Sequence, residues 1–444
     1  MKSESEIAES ARRSLRKGDA DGALQVISKT VLEYQSANAP CGLPQLDAIC
    51  QEIGRTFLQP FETSTPANPS LDLYIASEIY AIGGHTSVIG DYVSQHPTRT
   101  AHLLLTNHRQ RQPTLTSQIL ARTTLPADRV EICAASNWIG KLQWLADRIH
   151  NRLPARIFIL NHPEDPLPIC LPPTQPGTCW HYLHHADGAP ALGLHLPHVI
   201  HIDVTPRAYH CCREILGLHD NLYLPLQGVE GANPISLRPG PILTLASSGS
   251  TGKFALDGAN ALAPTITEIL RHTPHRYLHI GPLPEAYLQD WRAQLHTASI
   301  DPFRLLHIPR VESLWKTFFH FGVDLYLNSF PTPGAKASIE AMATGLPILS
   351  LQNAVRHHSL LYPEAQAWQT PAELIHLLHA ATLAWRQNQH TASLRHYQSY
   401  HAPSTLRPLF EDPTLRGRTP LPLPPAALAA HRQMLHAFRR EISS

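Results

Sequence analysis

A histidine in the segment DLYIASEIYAIGGHTSVIGDYV stands where a predicted strand gives way to a predicted helix. The apolar run Asp72–Ala76 predicts the strand, and Gly83 and Gly84 permit a tight turn and the close approach of a ligand. His85 would then lie at the mouth of a binding crevice, where an imidazole can take a proton from an acceptor hydroxyl or amide during group transfer. The alternative is a histidine that only caps the helix.

A second candidate, PILTLASSGSTGKF, follows a predicted strand with small hydroxyl residues, glycines and one lysine. The backbone amides of Ser250, Thr251 and Gly252, together with the ammonium group of Lys253, are suited to hold phosphate oxygens. The loop is not a Walker A motif, because it lacks the four-residue gap between the glycines and because Phe254 stands where a Ser or Thr would bind magnesium. We therefore predict a diphosphate contact without P-loop hydrolysis, with an ordinary exposed loop as the alternative.

The segment VDLYLNSFPTPGAKASIEAMATGLPIL is the most specific of the candidates. It predicts a strand, a loop that ends at Gly334, and a helix that starts near Ala335 and carries Lys336, Ser338 and Glu340. The amides at the start of such a helix can bind a β-phosphate, and Glu340, more than one turn along, is placed to reach ribose hydroxyls. A plain strand-loop-helix connection is the alternative.

Histidines also cluster in WHYLHHADGAPALGL, in or just after a predicted strand. His and Asp are common metal ligands, but in a continuing strand His184 and His185 point to opposite faces and cannot easily chelate one ion. We expect instead that His185 and Asp187 lie at the same crevice edge as His85 and bind the acceptor or the donor sugar. An exposed polar loop is the alternative, and His162 in NHPEDP is a further candidate of the same kind.

The composition narrows the classes of function. The 36 Lys and Arg against 35 Asp and Glu give a net charge of +1, which argues against a dedicated nucleic-acid-binding protein. The 29 histidines raise the possibility of metal chemistry, but their spacing offers no obvious chelating set, so we predict neither a metal ion nor a cofactor.

The cysteines and the N-terminal sequence bear on the compartment. Seven cysteines without a CxxC pair favour a reducing, cytoplasmic setting over a disulfide framework. The start, MKSESEIAESARRS, carries charges where a signal peptide needs an apolar core, and no run approaches the ~18 apolar residues that span a bilayer. The sequence therefore predicts a soluble, cytoplasmic protein without a transmembrane segment.

Short apolar runs alternate with longer amphipathic stretches from residue 70 onward, a pattern typical of parallel strands covered by helices on both faces. The first series of predicted strands comprises Leu71–Ala76, His102–Thr106, Val130–Ala134, Arg156–Asn161, Cys179–Leu183 and His198–Val204. The second series comprises Ile242–Ala246, Arg276–Ile280, Phe303–His307, Asp324–Leu327 and Pro347–Leu351. Two consecutive Rossmann-like α/β domains, 70–235 and 236–395, are the economical architecture, with the ligand expected in the crevice between them.

Helical segments flank these two domains. Residues 1–62 predict an N-terminal helical region, and 396–444 a helical C-terminal tail. The turn RKGDADGAL resembles that of a tetratricopeptide unit, but a single helix pair cannot form a solenoid. A helical cap on the following domain is the favoured expectation, and these helices are also candidates for contact with a protein partner.

Three of these segments together resemble the GT-B nucleotide-sugar glycosyltransferases. In that family a glycine-led helix followed by E-A-M-A-x-G-x-P binds the sugar nucleotide, and here Glu340 begins E-A-M-A-T-G-L-P. With the GGH loop and the SSGSTGK loop in the same order, the resemblance covers most of residues 70–390. It implies a pair of Rossmann-like domains and a nucleotide sugar, with UDP as the nucleotide, as the donor.

The resemblance also implies roles for individual residues. Glu340 becomes the ribose ligand, and Arg310 and Val311, in RLLHIPRVESLWKTF, lie near the nucleobase. His85 matches the histidine that several inverting members use as a base. The implied diphosphate clamp comprises Lys253, Ser250, Thr251, Gly252, Gly334, Ala335, Lys336, Ala337 and Ser338.

One departure from the family pattern bears on mechanism. Retaining members carry a second glutamate eight positions before the ribose glutamate, and here that position is Thr332. The layout is similar to that of O-GlcNAc transferases and of the bacterial enzymes that glucosylate adhesins, which also have helical N-terminal regions. Their phosphate-site H-T-T is replaced here by A-K-A.

We therefore predict an inverting, metal-independent glycosyltransferase that moves a sugar from a nucleotide diphosphate sugar to a protein or glycan acceptor. Lys253 and the helix amides would stabilise the leaving diphosphate while His85 deprotonates the acceptor. Two alternatives stay open. A sugar-nucleotide epimerase would use Glu78, Asp91 and Asp187 as its acid and base, and a non-catalytic sugar-binding or scaffold protein would keep the fold without turnover.

Overall fold

Three helices precede the first long strand. They are α1 (Glu4–Arg16), α2 (Ala20–Tyr34) and α3 (Pro44–Phe57), with the short strand β1 (Cys41–Gly42) before α3. Ser3 and Glu6 form a reciprocal capping box at the start of α1, and the Asp19 carboxylate accepts the amide of Gly22 at the start of α2. These caps satisfy amides that the first turn of a helix leaves without partners.

The computed structural model describes residues 2–35, 41–58, 65–81, 84–110, 115–173, 177–185, 188–258, 260–352, 365–411, 415 and 417–442. The chain divides into two compact units. The first comprises Met1–Pro225 and Arg407–Ser444, and the second comprises Leu226–Leu406.

The first unit contains a seven-stranded parallel sheet within its described residues. Its strands are β2 (Asn68–Ala76), β3 (Thr100–Leu105), β4 (Val130–Ile132), β5 (Pro154–Leu160), β6 (Cys179–His184), β8 (Ile200–Asp203) and β9 (Leu222–Tyr223), while β7 (Pro190–Ala191) pairs with β1. The helices between them are α4 (Gly84–Gln95), α5 (Ser117–Thr123), α6 (Trp138–Arg152) and α7 (Pro206–Glu214). The strand order β4-β3-β2-β5-β6-β8-β9 reverses at β2, so the switch point lies between β2 and β5, where ligands bind in folds of this kind.

The second unit repeats this arrangement with six parallel strands in its described part. They are β10 (Thr244–Ser248), β11 (Arg276–Ile280), β12 (Leu305–Ile308), β13 (Leu325–Leu327), β14 (Ile348–Leu351) and β15 (Gln366–Trp368). The helices are α8 (Leu262–His272), α9 (Glu285–Thr297), α10 (Leu314–His320), α11 (Lys336–Ala343), α12 (Pro371–Ala380) and α13 (Leu383–Tyr400). The strand order β12-β11-β10-β13-β14-β15 is that of a dinucleotide-binding sheet, with its switch point between β10 and β13.

The helices at the two ends of the chain belong to the first unit's core. After α14 (Pro403–Glu411), the last helix is α15 (Pro425–Glu441), whose Phe438 ring meets the Tyr34 ring edge-on at 5.3 Å. In α2, Leu24 is fully buried in the same apolar cluster as Ile157 of β5. The N-terminal helices thus form a cap on this unit, and residues 407–444 of the predicted helical tail belong to the same unit.

The predicted fold class, a GT-B-like pair of Rossmann-like domains with a helical N-terminal region, is confirmed. Two predicted strands are displaced. The strand predicted at 242–246 is β10, Thr244–Ser248, and β12 starts at Leu305 because Pro302–Arg304 form a 3-10 turn that leaves Phe303 86% exposed. The short strands β9 and β15 have no counterpart among the predicted strands. None of the described helices has the length and apolar character needed to cross a membrane.

Candidate active site

The first unit gathers charged side chains at the carboxyl ends of β2, β3 and β5. Glu78 follows β2 and is fully buried, and its carboxylate accepts hydrogen bonds from the Tyr80 hydroxyl (2.7 Å) and the Arg109 backbone amide (3.1 Å). The Arg109 guanidinium donates to Glu164, which follows β5. Residues that follow three adjacent strands, β3, β2 and β5, are therefore tied together at the switch point.

Asp165 is a further buried acid of the same network. The hydroxyls of Ser77 and Thr106 each donate to its Oδ2 at 2.6 Å. His108 lies between the two acids, with Nε2 3.2 Å from Glu164 Oε1 and Nδ1 3.8 Å from Asp165 Oδ2. Because these side chains are buried, each of these contacts is costly to lose, so the network should be rigid.

The charges of this network reinforce one another. Burial lowers the pKa of His108, but the carboxylates of Asp165 and Glu164 more than offset it, and the net pKa is raised. Burial likewise raises the pKa of Glu164, yet the hydrogen bond and charge of His108, with the charge of Arg109, bring it to about 2. The favoured state is a charged pair, because the two shifts run in opposite and mutually supporting directions.

His85 lies in the first turn of α4, at the edge of this network. Its Nε2 is 2.6 Å from the Leu160 carbonyl oxygen at the end of β5, so Nε2 carries the proton and donates. Its ring is 4.7 Å from the ring of His185 and 5.5 Å from that of His162. Burial lowers the pKa of His85, which favours the neutral form that a base requires.

The structure thus brings His85 and His185 together, as the sequence predicted. His185 directly follows β6, and burial lowers its pKa, with the neighbouring histidines acting in the same direction. Gly84 begins α4 and is exposed. The two other predicted residues of this pocket, Gly83 and Asp187, lie outside the described residues.

Three side chains of this edge have the chemistry of metal ligands. Glu78, His108 and His162 place ligand atoms within 4.8 Å of one another. The Glu78 carboxylate is already bound by Tyr80 and a backbone amide, and Arg109 brings a positive charge beside it. A cation at this edge would have to displace these partners.

The switch point of the second unit has a different character. Lys253 ends the loop after β10, and Gly334 ends the loop after β13. A β-carbon built on Gly334 would lie 3.4 Å from Lys253 Nζ, so the ammonium group reaches the glycine at the entry to α11. The Gly334 amide itself donates to Asn328 Oδ1 (2.9 Å), which fixes the loop.

Helix α11 offers its first amides to a ligand. Ala335 at its N-terminal cap provides no side-chain hydrogen bond, whereas Ser338 is fully buried and donates to the Gly334 carbonyl oxygen (2.8 Å). The Lys336 ammonium group donates to the backbone carbonyl of Gln227. In the predicted clamp of residues 334–338, which includes Ala337, the backbone and Lys253 are therefore better placed than the Lys336 and Ser338 side chains.

The remaining predicted donor residues have distinct surroundings. In the loop after β10, Ser250 and Gly252 are exposed, while Thr251 donates its hydroxyl to the Pro282 carbonyl (2.7 Å) and so fixes the loop. Glu340 is partly exposed on α11, and its charge adds to the effect of burial in raising the pKa of Tyr326.

Arg310 and Val311 follow β12, where the nucleobase was expected. Arg310 is exposed, and Val311 lines a cleft of about 620 Å³ together with Ile308, Ser313 and Lys316. Both apolar and polar groups line this cleft in the second unit. Such a lining suits the apolar face and the polar edge of a heterocyclic base.

The sequence did not indicate the roles of His108, Arg109, Glu164 and Asp165. His108 and Arg109 lie in the segment TNHR after β3, and Glu164 and Asp165 lie in NHPEDP after β5. Both strands pair with β2. The signal was the repetition of His and acidic residues after successive strands, since the carboxyl ends of parallel strands meet at one edge. The sequence identifies His162 as a candidate in NHPEDP, but it does not identify its neighbours Glu78 and His108.

Comparison with known proteins establishes the fold. No protein-family model matches the sequence, and no curated protein matches it either. Among solved structures, HepE from Anabaena in complex with UDP and glucose is similar with a TM-score of 0.55 at 11% identity, covering 76% of this chain and 97% of that chain.

Two further structures extend this similarity. A glycosyltransferase from Rickettsia africae has a TM-score of 0.54 at 9% identity, covering 83% of this chain and 99% of its own. A mutant O-GlcNAc transferase from Thermobaculum terrenum has a TM-score of 0.52 at 12% identity and covers 99% of this chain and 85% of its own. The resemblance to GT-B glycosyltransferases predicted from the motifs is therefore confirmed at the level of the fold.

Proposed function

We propose that this chain is a glycosyltransferase that takes a sugar from a nucleotide diphosphate sugar, with UDP as the nucleotide, and transfers it to a protein or glycan acceptor. The observation that carries the proposal is the approach of Lys253 to Gly334 at the start of α11, on the switch point of a sheet with dinucleotide-binding strand order. The fold likeness to HepE, whose structure contains UDP and glucose, supports the choice of donor.

In this proposal the second unit holds the donor. The diphosphate lies against the amides of Ala335 to Ala337, where the helix dipole is positive, and Lys253 supplies the neutralising charge. Glu340 binds the ribose hydroxyls, and the base occupies the cleft beside Val311. Lys253 and the amides, rather than a divalent cation, stabilise the leaving diphosphate.

The first unit supplies the base. Because Nε2 of His85 donates to the Leu160 carbonyl, the lone pair that accepts a proton lies on Nδ1. Nδ1 is buried in this structure, so the acceptor must displace part of the packing around His85 to reach it. The lowered pKa of His85 keeps the imidazole unprotonated before the acceptor arrives.

The proposed reaction is a single displacement. The acceptor oxygen or nitrogen attacks the anomeric carbon, the bond from that carbon to the diphosphate oxygen breaks, and the acceptor proton passes to Nδ1 of His85. The electron pair of the broken bond leaves with the nucleoside diphosphate, where Lys253 stabilises the growing charge. One displacement inverts the configuration at the anomeric carbon.

Nucleotide binding is the first test. A screen of nucleotide sugars by thermal shift should single out UDP-sugars, because a ligand at a hundred times its Kd stabilises a protein by about 2.7 kcal/mol. Lys253→Met should weaken the shift, and Lys253→Arg, the matched control, should retain most of it because the charge is kept. Absence of a shift with every nucleotide would remove the donor-binding part of the proposal.

Turnover then separates transfer from the two alternatives. An inverting transferase should release UDP when an acceptor is present and give a product of opposite anomeric configuration by NMR. Conversion of the donor sugar into its epimer without any acceptor would instead indicate an epimerase, in which Glu78 is the best-placed acid or base of the first unit. Binding without any chemistry would indicate a sugar-binding protein.

A further inference from the structure

Four side chains with the chemistry of metal ligands meet in the first unit, away from the hydrogen-bond network around Glu78. His184 is the last residue of β6, His201 and Asp203 lie on the same face of β8, and Cys212 projects from α7. The register of the sheet pairs His184 with Asp203 directly. Two neighbouring strands of the sheet, β6 and β8, and the helix that follows β8 therefore bring two imidazoles, a carboxylate and a thiol to one place.

The four atoms are close enough to surround one ion: the two Cys212 Sγ separations have the length expected between zinc ligands, and the two Asp203–histidine separations, which are hydrogen-bond lengths, would have to widen on binding. Asp203 Oδ1 is 2.9 Å from His184 Nδ1, 3.1 Å from His201 Nε2 and 3.4 Å from Cys212 Sγ. Cys212 Sγ is also 3.4 Å from His184 Nδ1, and all four atoms lie within 4.8 Å of one another. Ligand atoms of a tetrahedral zinc ion are roughly 3.3 to 3.6 Å apart, given Zn–N and Zn–O bonds near 2.0–2.1 Å and Zn–S bonds near 2.3 Å.

Hydrogen bonding alone explains this arrangement poorly. A carboxylate oxygen has about two lone pairs, yet three potential donors crowd Asp203 Oδ1. The other oxygen, Oδ2, accepts from the Asn221 side-chain amide at 2.5 Å. A single ion between the four atoms would engage each of them along its own lone pair.

Burial adds an argument from charge. Asp203 and Cys212 are fully buried, and His184 is 1% exposed. A zinc ion with one carboxylate, one thiolate and two neutral imidazoles has no net charge, so the complex would bury no uncompensated charge.

We propose that His184, His201, Asp203 and Cys212 bind one zinc ion. Binding displaces the thiol proton of Cys212 to solvent, and the thiolate sulfur, the carboxylate and the two imidazole nitrogens complete a tetrahedral shell. Asn221 orients the carboxylate from outside, and Arg213 in turn donates to Asn221 Oδ1 (2.7 Å). Four protein ligands leave no open position, so the ion is structural.

The proposed site is consistent with the alternation of side chains along β6, which argued against chelation of one ion by His184 and His185 together. His184 and His185 do point apart, and the zinc site uses only His184, with partners from β8 and α7 that the sequence did not connect. The ion would hold the end of β6, from which His185 continues to its place 4.7 Å from the His85 ring. The site itself does not depend on sugar transfer.

Elemental analysis of untagged, full-length protein tests the proposal directly. We expect about one zinc per chain, the stoichiometry of a closed four-ligand site. After removal of the metal with a chelator, the melting temperature should fall and return on addition of Zn²⁺. Cobalt(II) added to the chelated protein should give the intense thiolate-to-cobalt charge-transfer absorption of a site that contains cysteine.

Adjacent cysteines provide a matched pair of variants. Cys211 is next to Cys212 on α7 and equally buried, but it is not among the clustered atoms. Cys212→Ser should lose the cobalt–thiolate band and most of the zinc, and Cys211→Ser should keep both. The wild-type cobalt spectrum stands even if Cys212→Ser fails to fold.

Three results would overturn the proposal. The first is wild-type protein that neither contains nor takes up zinc and melts at the same temperature with chelator, which would show a hydrogen-bonded cluster only. The second is bound cobalt without a thiolate band. The third is full zinc content in a folded Cys212→Ser protein, which would place the ion elsewhere.

Discussion

The two switch points of the molecule have the same sheet topology and opposite chemistry. In the first unit, the residues after β2 and β5 include the buried acids Glu78 and Glu164, and both accept hydrogen bonds from Arg109, which follows β3. In the second unit, the loop after β10 consists of small residues up to Lys253, whose ammonium group lies near Gly334 at the entry to α11. Under the proposed function, the first edge transfers the acceptor proton and the second binds the diphosphate.

The difference shows how one fold divides two tasks. A proton-transfer site needs groups whose pKa values are shifted by fixed neighbours, which requires burial and mutual hydrogen bonds. A phosphate site needs open backbone amides and close approach, which requires small residues such as Gly334. The contrast predicts that substitutions at the two edges will affect different steps.

The largest expected effect is on the chemical step at the first edge. His85→Ala should lower kcat by about 10²- to 10⁴-fold, the range for loss of a general base, while the Kd of the nucleotide sugar stays unchanged. Lys253→Ala should lower kcat by about 10²- to 10³-fold and also raise the Kd for UDP, because its charge contacts the donor both before and during transfer. Calorimetric titration with UDP and initial-rate kinetics measure the two quantities separately.

The prediction is tested by comparing His85→Ala with Lys253→Ala, because the two variants should differ in their affinity for UDP. If His85→Ala lost UDP affinity as strongly as Lys253→Ala, the assignment of separate tasks to the two edges would be wrong. Wild-type rates in His85→Ala would remove the base role but leave the donor site intact. Circular dichroism of both variants controls for unfolding.

A smaller effect is expected from the glycine that supports the Lys253 loop. Gly281 has φ of +143°, and a β-carbon on it would lie 2.0 Å from the Gly249 carbonyl oxygen. Gly281→Ala should therefore cost about 1–3 kcal/mol of folding free energy and weaken UDP binding, because the loop after β10 must move. Urea unfolding and UDP titration measure both consequences.

Gly252 in the same loop is the matched control. A β-carbon there meets nothing within 4 Å, so Gly252→Ala should leave the free energy of unfolding unchanged. If Gly281→Ala were as stable as wild type and bound UDP equally well, the contact with Gly249 would not position the loop.

Much of this fold was accessible from the sequence because parallel sheets buried on both faces produce continuous apolar runs between helices. The runs at 71–76 and 276–280 match β2 and β11 closely, and the glycine-led helix after β13 begins at Lys336. These signals are local, since each strand and each helix start is encoded within a few residues.

The charged network was not accessible, because its contacts join residues far apart in the chain. Asp165 accepts hydrogen bonds from Ser77 and Thr106, which are 88 and 59 residues away in the sequence. No single segment of the sequence indicates these contacts. The same holds for the cluster of His184 with Cys212, where three elements must be placed before the side chains can be seen to converge. Spacing within a segment excluded a histidine pair, but it could not reveal ligands from neighbouring elements.

The two units can also be compared in their buried histidines, which make the stability of the fold depend on pH. Burial lowers the pKa of His181 in the first unit and of His279 in the second to about 3. In the unfolded chain a histidine titrates near 6.5, so between these pH values the unfolded state holds a proton that the folded state does not. Stability is therefore lost as the pH falls below about 6.5, by about 1.4 kcal/mol per pH unit for each such histidine.

The histidines with lowered pKa number eight in the described part of the first unit and four in that of the second, so the first unit should open first on acidification. Hydrogen exchange at pH 5 and at pH 7 should show the larger loss of protection in β5 and β6. His279→Phe should reduce the pH dependence of unfolding by up to one proton, with the exposed His320→Gln as the control for loss of an imidazole. An unchanged slope in His279→Phe, or earlier opening of the second unit, would mean that burial of histidines does not set the acid limit of this fold.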